Sequence, residues 1–121
     1  MIELAAAFCL ANSATSQPAE VVDAFVAAYN AHDVEALKRV VSADARFGGW
    51  ADSVSGAVAI GNYETIVFAR YLEVRLEIAD RLAIGDLVAQ TEILTGFQEP
   101  ETGLSVYRVK DGCIIEMSIN Q

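Results

Sequence analysis

The spacing of apolar residues changes period about midway along the chain. From Pro18 onward, Val22, Phe25, Val26 and Tyr29 recur at helical intervals with alanines between them, which predicts a helix with one buried stripe. Pro18 suits a first helical turn, and Glu20 favours the positive end of the helix dipole. The stretch "NAHD" ends this helix. Asp33 is placed to cap a second one, in which Val34, Leu37 and Val41 share a face and Glu35 and Arg39 pair across a turn. The helical signal stops after "SADARF", and Phe47 opens a short strand before Gly48 and Gly49 let the chain swing toward Trp50. "SVSGAVAIGNYETIVFARY" reads as a third helix, with Val58, Ile60, Ile66 and Phe68 as its apolar positions and Gly61-Asn62 as a weak point.

Beyond residue 72 the period drops to two. "EVRLEIADRLAIGD" alternates Val74, Leu76 and Ile78 against Glu73, Arg75 and Glu77, which predicts a half-buried strand, and Gly85-Asp86 supplies a hairpin turn into "LVAQTEILTGF". "GLSVYRVKDGCIIEMSIN" is a second hairpin about Asp111-Gly112. Helices first and antiparallel strands afterwards imply an α+β fold, with about three helices on one face of a curved sheet. A twisted sheet wrapped on the first helix leaves a conical cavity where the two diverge.

Strand alternation then assigns the faces. With Val74, Leu76 and Ile78 inward, the matching positions are Ala89, Thr91 and Ile93, then Ser105, Tyr107 and Val109, then Ile115, Met117 and Ile119. Glu92, Arg108 and Glu116 point outward on this scheme. The expected ligand pocket is therefore Phe25, Tyr29, Phe47, Trp50, Thr91, Ser105, Tyr107 and Met117, an apolar cup with a few hydroxyls.

Composition narrows the partners. A chain of 121 residues fits one domain, taken as residues 18–121, and its 54% hydrophobic content comes with no repeat and no apolar run long enough to cross a bilayer. Eight Lys and Arg against seventeen Asp and Glu give a net charge of −9, and the cations are scattered, so neither nucleic acid nor an anionic membrane is the expected partner. A small hydrophobic molecule is. The outer sheet face, where Leu94 and Val106 interrupt the charges, is the expected homodimer surface.

Residues 1–17 form a separate N-terminal segment. Its apolar stretch, Leu4 to Ala11, and the small residues before Gln17 resemble a signal peptide, but Glu3 stands where a cation normally orients one. The location is periplasmic or secreted if residues 1–16 are a cleaved signal, and cytoplasmic otherwise. Cys9 and Cys113 make neither a disulfide framework nor a metal site, and a single histidine rules out a His-rich one. No phosphate-cradling glycine loop opens a helix, so no cofactor is expected.

The strings "FVAAYNAHDVEALKRVVSADARF", "SGAVAI" and "VYRVKDGCIIEM" resemble the nuclear transport factor 2-like superfamily, and within it the SnoaL-like and ketosteroid-isomerase-like proteins. The resemblance covers nearly the whole chain from Val21 and implies a cystatin-like, cone-shaped α+β barrel, a pocket between the first helix and the sheet, and frequent homodimers. It also implies positions for the steroid isomerase groups, a tyrosine and two aspartates. Those positions hold Phe25, Gly48-Gly49 and Ser105, so the isomerase residues are missing.

The remaining catalytic candidates are Asp52, a carboxylate displaced along the loop; His32, whose ordinary pKa suits a general base; and Tyr107 or Tyr29 as a hydrogen-bond donor to a carbonyl. Each has a plainer counterpart: turn chemistry for Asp52 in "WADSVSG", a corner-stabilising role for His32 before a helix cap, and a satisfied core hydroxyl for either tyrosine. Two functions stay open. One is a cofactor-independent isomerase, lyase or cyclase on a hydrophobic substrate, which requires a cavity-facing carboxylate or imidazole with a tuned pKa. The other is a noncatalytic ligand-binding or dimeric association module, which requires none.

Overall fold

The computed structural model describes Cys9, residues 17–48 and residues 56–120. The N-terminal segment apart from Cys9 and Gln17, and with it the signal-peptide expectation, lies outside the described residues, as do Trp50 and Asp52. The elements in chain order are α1 (Pro18–Asn30), α2 (Val34–Lys38), β1 (Val41–Gly48), α3 (Gly56–Arg70), β2 (Arg75–Ile84), β3 (Leu87–Thr95), β4 (Glu101–Lys110) and β5 (Cys113–Asn120). The strands form one sheet in the order β1-β5-β4-β3-β2, antiparallel except for the parallel pair β1–β5.

The first helix starts and stops where its sequence directs. Pro18 occupies the first turn, where its missing N–H costs nothing, and the Gln17 N–H donates to Glu20 Oε1 at 2.9 Å. At the other end the Asp33 N–H reaches the Ala28 carbonyl at 2.9 Å and the His32 N–H reaches Tyr29 at 3.0 Å. This is a Schellman ending with His32, at φ +54°, in the left-handed position that glycine usually fills. The strain is offset by its ring, which stacks on Phe68 with centroids 4.4 Å apart and donates Nε2–H to the Val74 carbonyl at 2.9 Å. Asp33 Oδ1 then accepts from the Ala36 N–H at 3.1 Å, capping α2.

The second helix is shorter than its apolar spacing suggests. It ends at Lys38, which takes the ion pair with Glu35 that the spacing assigns to Arg39. The β-branched pair Val40-Val41 prefers extended backbone, and the Val40 carbonyl accepts from the Ile114 N–H at 2.8 Å. Strand β1 therefore opens at Val41 rather than Phe47, and the sheet gains a fifth strand.

Helix α1 lies across the concave face and buries Val22, Phe25, Val26 and Tyr29 against the sheet. Asn30 ties its end to β2: Nδ2 donates to the Leu76 carbonyl at 2.9 Å and Oδ1 accepts from the Leu76 N–H at 2.7 Å, as a neighbouring strand would. Asn30→Ala leaves both backbone groups unpaired, and urea unfolding should show a loss of about 2–3 kcal/mol.

Two bulges reassign the inward faces. The two-residue turn pairs Ile84 with Leu87 and Leu82 with Ala89, a register that continued unbroken would set Ile78 against Ile93. An irregularity between Ile78 and Asp80 shifts it by one, so Ile78 faces Glu92 and Leu76 faces Leu94. Cross-strand partners share a face. Hence Val88, Gln90, Glu92 and Leu94 look inward, and the expectation of Ala89, Thr91 and Ile93 inward with Glu92 and Leu94 outward is reversed. Thr91 pairs with the exposed Leu104 on the outer face, so it is no pocket residue. A second bulge sets Val109 against Ile114, which is buried in place of Ile115. The β4–β5 turn keeps its expected form, with Asp111 and Gly112 both at positive φ (54° and 77°), the type I′ pattern.

On the outer face Glu116 pairs with Arg46 and with Arg108, whose Nε lies 3.0 Å from Glu116 Oε1 and whose Nη1 lies 3.1 Å from Asp86. Of the two apolar residues expected to offer a dimer surface, Leu94 has turned inward and Val106 faces out. The cysteines also depart from expectation. Cys9 and Cys113 form a disulfide with Cα atoms 5.3 Å apart. Their 104-residue separation in sequence gives no hint of that proximity.

Candidate functional site

Helix and sheet diverge beyond Tyr29, and a cavity of about 360 Å³ opens between α1, α3 and strands β2 to β5. Its floor is apolar, with Phe25 from α1, Leu76 from β2, Leu94 from β3 and Met117 and Ile119 from β5. Polar groups enter from two sides.

The first group is set by the bulge in β2. Glu92, only 5% exposed, holds its carboxylate among three donors: Gln90 Nε2 at 2.6 Å, Ser105 Oγ at 2.6 Å and Tyr107 OH at 2.5 Å. The chain of contacts continues outward. Arg81 Nε donates to Gln90 Oε1 at 2.9 Å, and Arg81 Nη2 lies 2.8 Å from Asp23 Oδ1, close enough for an ion pair but off line for a hydrogen bond. Burial, then the charge of Glu92 and its hydrogen bond, push the Tyr107 hydroxyl well above its ordinary pKa; Ser105 and the Arg81 charge oppose this.

The second group is Glu64 on α3. It falls on the helix's buried stripe, four residues from both Ile60 and Phe68, and is 4% exposed. Its Oε1 has no hydrogen-bond partner. Burial pushes its carboxyl from 4.5 up to about 8, because the charged form has lost its water and gained nothing comparable. Tyr29 lies within electrostatic reach of both carboxylates. Its hydroxyl is raised above the ordinary phenol value, first by burial and then by Glu64, Tyr63 and Glu92. Tyr63 is raised by burial, then by Glu64 and Tyr71.

Of the residues expected in the pocket, Phe25, Tyr29, Ser105, Tyr107 and Met117 line this cavity. Phe47 pairs with Met117 across β1 and β5 and is buried, yet it does not line the cavity. His32 sits in the α1–α2 corner with its ring engaged by Phe68 and Val74, away from the lining. Glu64 and Glu92 are absent from the sequence-derived candidates. A signal for Glu64 was present, since a carboxylate spaced with Ala57, Ile60 and Phe68 belongs to an apolar stripe. Glu92 had none, because the bulge that turns it inward leaves no mark in the alternation. Among the described residues, no three His, Cys, Asp or Glu side chains are grouped to hold a metal ion.

The architecture is shared with solved structures. A cystatin-fold protein of Novosphingobium aromaticivorans superposes with a TM-score of 0.80 at 23% identity, covering 87% of this chain and 98% of its own. A candidate polyketide cyclase of Sinorhizobium meliloti gives 0.76 at 22% identity, over 86% and 99%. A candidate ketosteroid isomerase of Kribbella flavida gives 0.73 at 17% identity, over 84% and 75%. No functionally curated protein is significantly similar in sequence. The sequence model of the SnoaL-like domain, however, matches residues 22–117, which run from the first buried turn of α1 through the cavity floor on β5. The chain therefore belongs to the SnoaL-like domain family, and its fold is that of cystatin-fold and nuclear transport factor 2-like structures.

Proposed function

We propose that the chain is a cofactor-independent enzyme of the isomerase, lyase or cyclase type that moves a proton on a hydrophobic substrate held in the cavity. The observation that carries this reading is Glu64, a buried carboxyl with an unpartnered oxygen in the cavity wall. A module that only binds apolar ligands has no use for such a group, whose burial costs stability. In this reading Glu64 removes a proton from a carbon beside a carbonyl. Tyr29, which holds its own proton firmly, donates to the carbonyl oxygen. The Glu92 cluster keeps Ser105 and Tyr107 fixed in the opposite wall. The fold-level likeness to candidate cyclases and isomerases supports the reaction class and leaves the substrate open.

Solvent deuterium exchange into 2-tetralone, an apolar ketone with acidic α-hydrogens, tests the proposal. The protein should accelerate exchange over buffer, with a rate rising about tenfold per pH unit up to about pH 8 and levelling beyond, as Glu64 ionises. Glu64→Gln should lose about 10²–10⁴-fold. Exchange no faster than in buffer, alongside displacement of a bound hydrophobic dye by the same ketone, would favour the noncatalytic binding module.

A further inference from the structure

The side chains in the cavity wall that can carry a charge near neutral pH are acidic. Three carboxyl groups line it, the buried Glu64 and Glu92 and the exposed Glu101, while no Lys, Arg or His does among the described residues, and Glu64 becomes anionic toward pH 8. Arg81 lies behind this wall, bonded to Gln90 and paired with Asp23; its charge reaches the Tyr107 hydroxyl, but the residue does not line the cavity. Aromatic rings supply much of the remaining wall: Phe25, Tyr29, Tyr63, Tyr71, Phe97 and Tyr107. Ring faces carry the negative part of the aromatic quadrupole and attract cations, and a water-poor site strengthens that attraction. The net charge of −9 points the same way, drawing cations toward the molecule and repelling anions.

We propose that the ligand of this cavity is an organic cation, an alkylammonium or onium centre on an apolar body, seated against the aromatic wall with Glu64 as its counter-charge. The inference names the substrate class of the site described above. It rests on the preceding reading for the location of the site and not for the reaction.

The two carboxylates are not equivalent in this role. Three donors already engage Glu92, so its charge is partly spent within the wall. Glu64 Oε1 has no such donor, and a neutral apolar ligand would leave it so. A cation nearby gives it the opposite charge that the fold withholds. The titratable and charged groups around Glu64 are Tyr29 on α1, Tyr63 on its own helix, Tyr71 beyond it, Glu92 on β3 and Glu101 on β4. From α2, Lys38 approaches Gly61, but its ammonium is paired with Glu35; from β1, Asp44 and Arg46 are exposed.

The test compares benzyltrimethylammonium with neopentylbenzene, its uncharged carbon isostere, and with phenylacetate. Binding is followed on the full chain by ligand-observed NMR at pH 8.5, where Glu64 is mainly ionised. The cation should bind at least tenfold more tightly than the isostere, and phenylacetate should not bind. In Glu64→Gln the affinity for the cation should fall at least severalfold toward that of the isostere, with the aromatic wall and the remaining carboxylates keeping a smaller preference. Equal or tighter binding of the isostere, undiminished binding of the cation to Glu64→Gln, or no binding of the cation at millimolar concentration would each overturn the inference. Deuterium exchange into 2-tetralone is a separate readout. If exchange proceeds while the cation shows no preference, this inference fails and the proposed proton transfer stands.

Discussion

Glu64→Gln should make the protein more stable, and increasingly so as the pH rises. A carboxyl whose pKa is about 8 in the folded state and 4.5 in the open chain binds its proton more tightly when folded. Below pH 4.5 both states hold the proton and the group contributes no ionisation penalty. Between the two values the unfolded chain binds fewer protons than the native one, so stability falls with each pH unit; above about 8 the loss is complete. The full shift corresponds to roughly 5 kcal/mol, an upper figure for a group that gains water as the fold relaxes. Gln keeps the shape and has no charge to bury. Wild type and variant should therefore unfold at similar urea concentrations at pH 4.5 and diverge steadily toward pH 9, with the variant ahead by several kcal/mol. Parallel pH profiles would mean that Glu64 is not held without compensation, and would remove the main support for the base we propose. Gain of stability with loss of activity is the pattern expected of a functional group kept at a structural cost.

The opposite sign is expected at Glu92. Glu92→Leu removes the acceptor for Gln90 Nε2, Ser105 Oγ and Tyr107 OH at once, and all three partners are buried beyond the reach of water. Each stranded donor costs about 1–3 kcal/mol, so urea denaturation should report a loss of about 3–5 kcal/mol even though leucine is the more hydrophobic residue. Combining it with Tyr107→Phe should recover part of that loss, because the phenol that lost its partner is then gone, and the double-mutant cycle should give a coupling of at least about 1 kcal/mol. A Glu92→Leu variant as stable as wild type would show that the cluster is not formed as described. Two carboxylates in one cavity thus make a discriminating pair: one is bound into the wall and stabilises it, and the other is held against its preference.

The contrast also marks how far the residues could be read without the fold. The order of helices and strands, the start of α1 at Pro18, the corner at His32 and the turns at Gly85-Asp86 and Asp111-Gly112 all follow from interactions within a few residues. Each of these was legible, as was the placement of Tyr29, Ser105 and Tyr107 around a common hollow. The ends of α2 and β1 were not, since helical spacing through Val41 competed with a hydrogen bond from Ile114 on a strand at the far end of the chain.

The sequence by itself determined that helices would cover one face of an antiparallel sheet, because period, capping and turn chemistry act locally and agree with one another. Only the tertiary structure decided which carboxylates face the cavity. A single extra residue in β2 reverses every side chain of β3 relative to the alternation, and its placement is selected by pairing across strands and by Asn30 holding Leu76 to α1. Glu64 likewise became a chemical group through enclosure: its raised pKa comes from the walls that remove its water, and those walls are brought together from four distant stretches of chain.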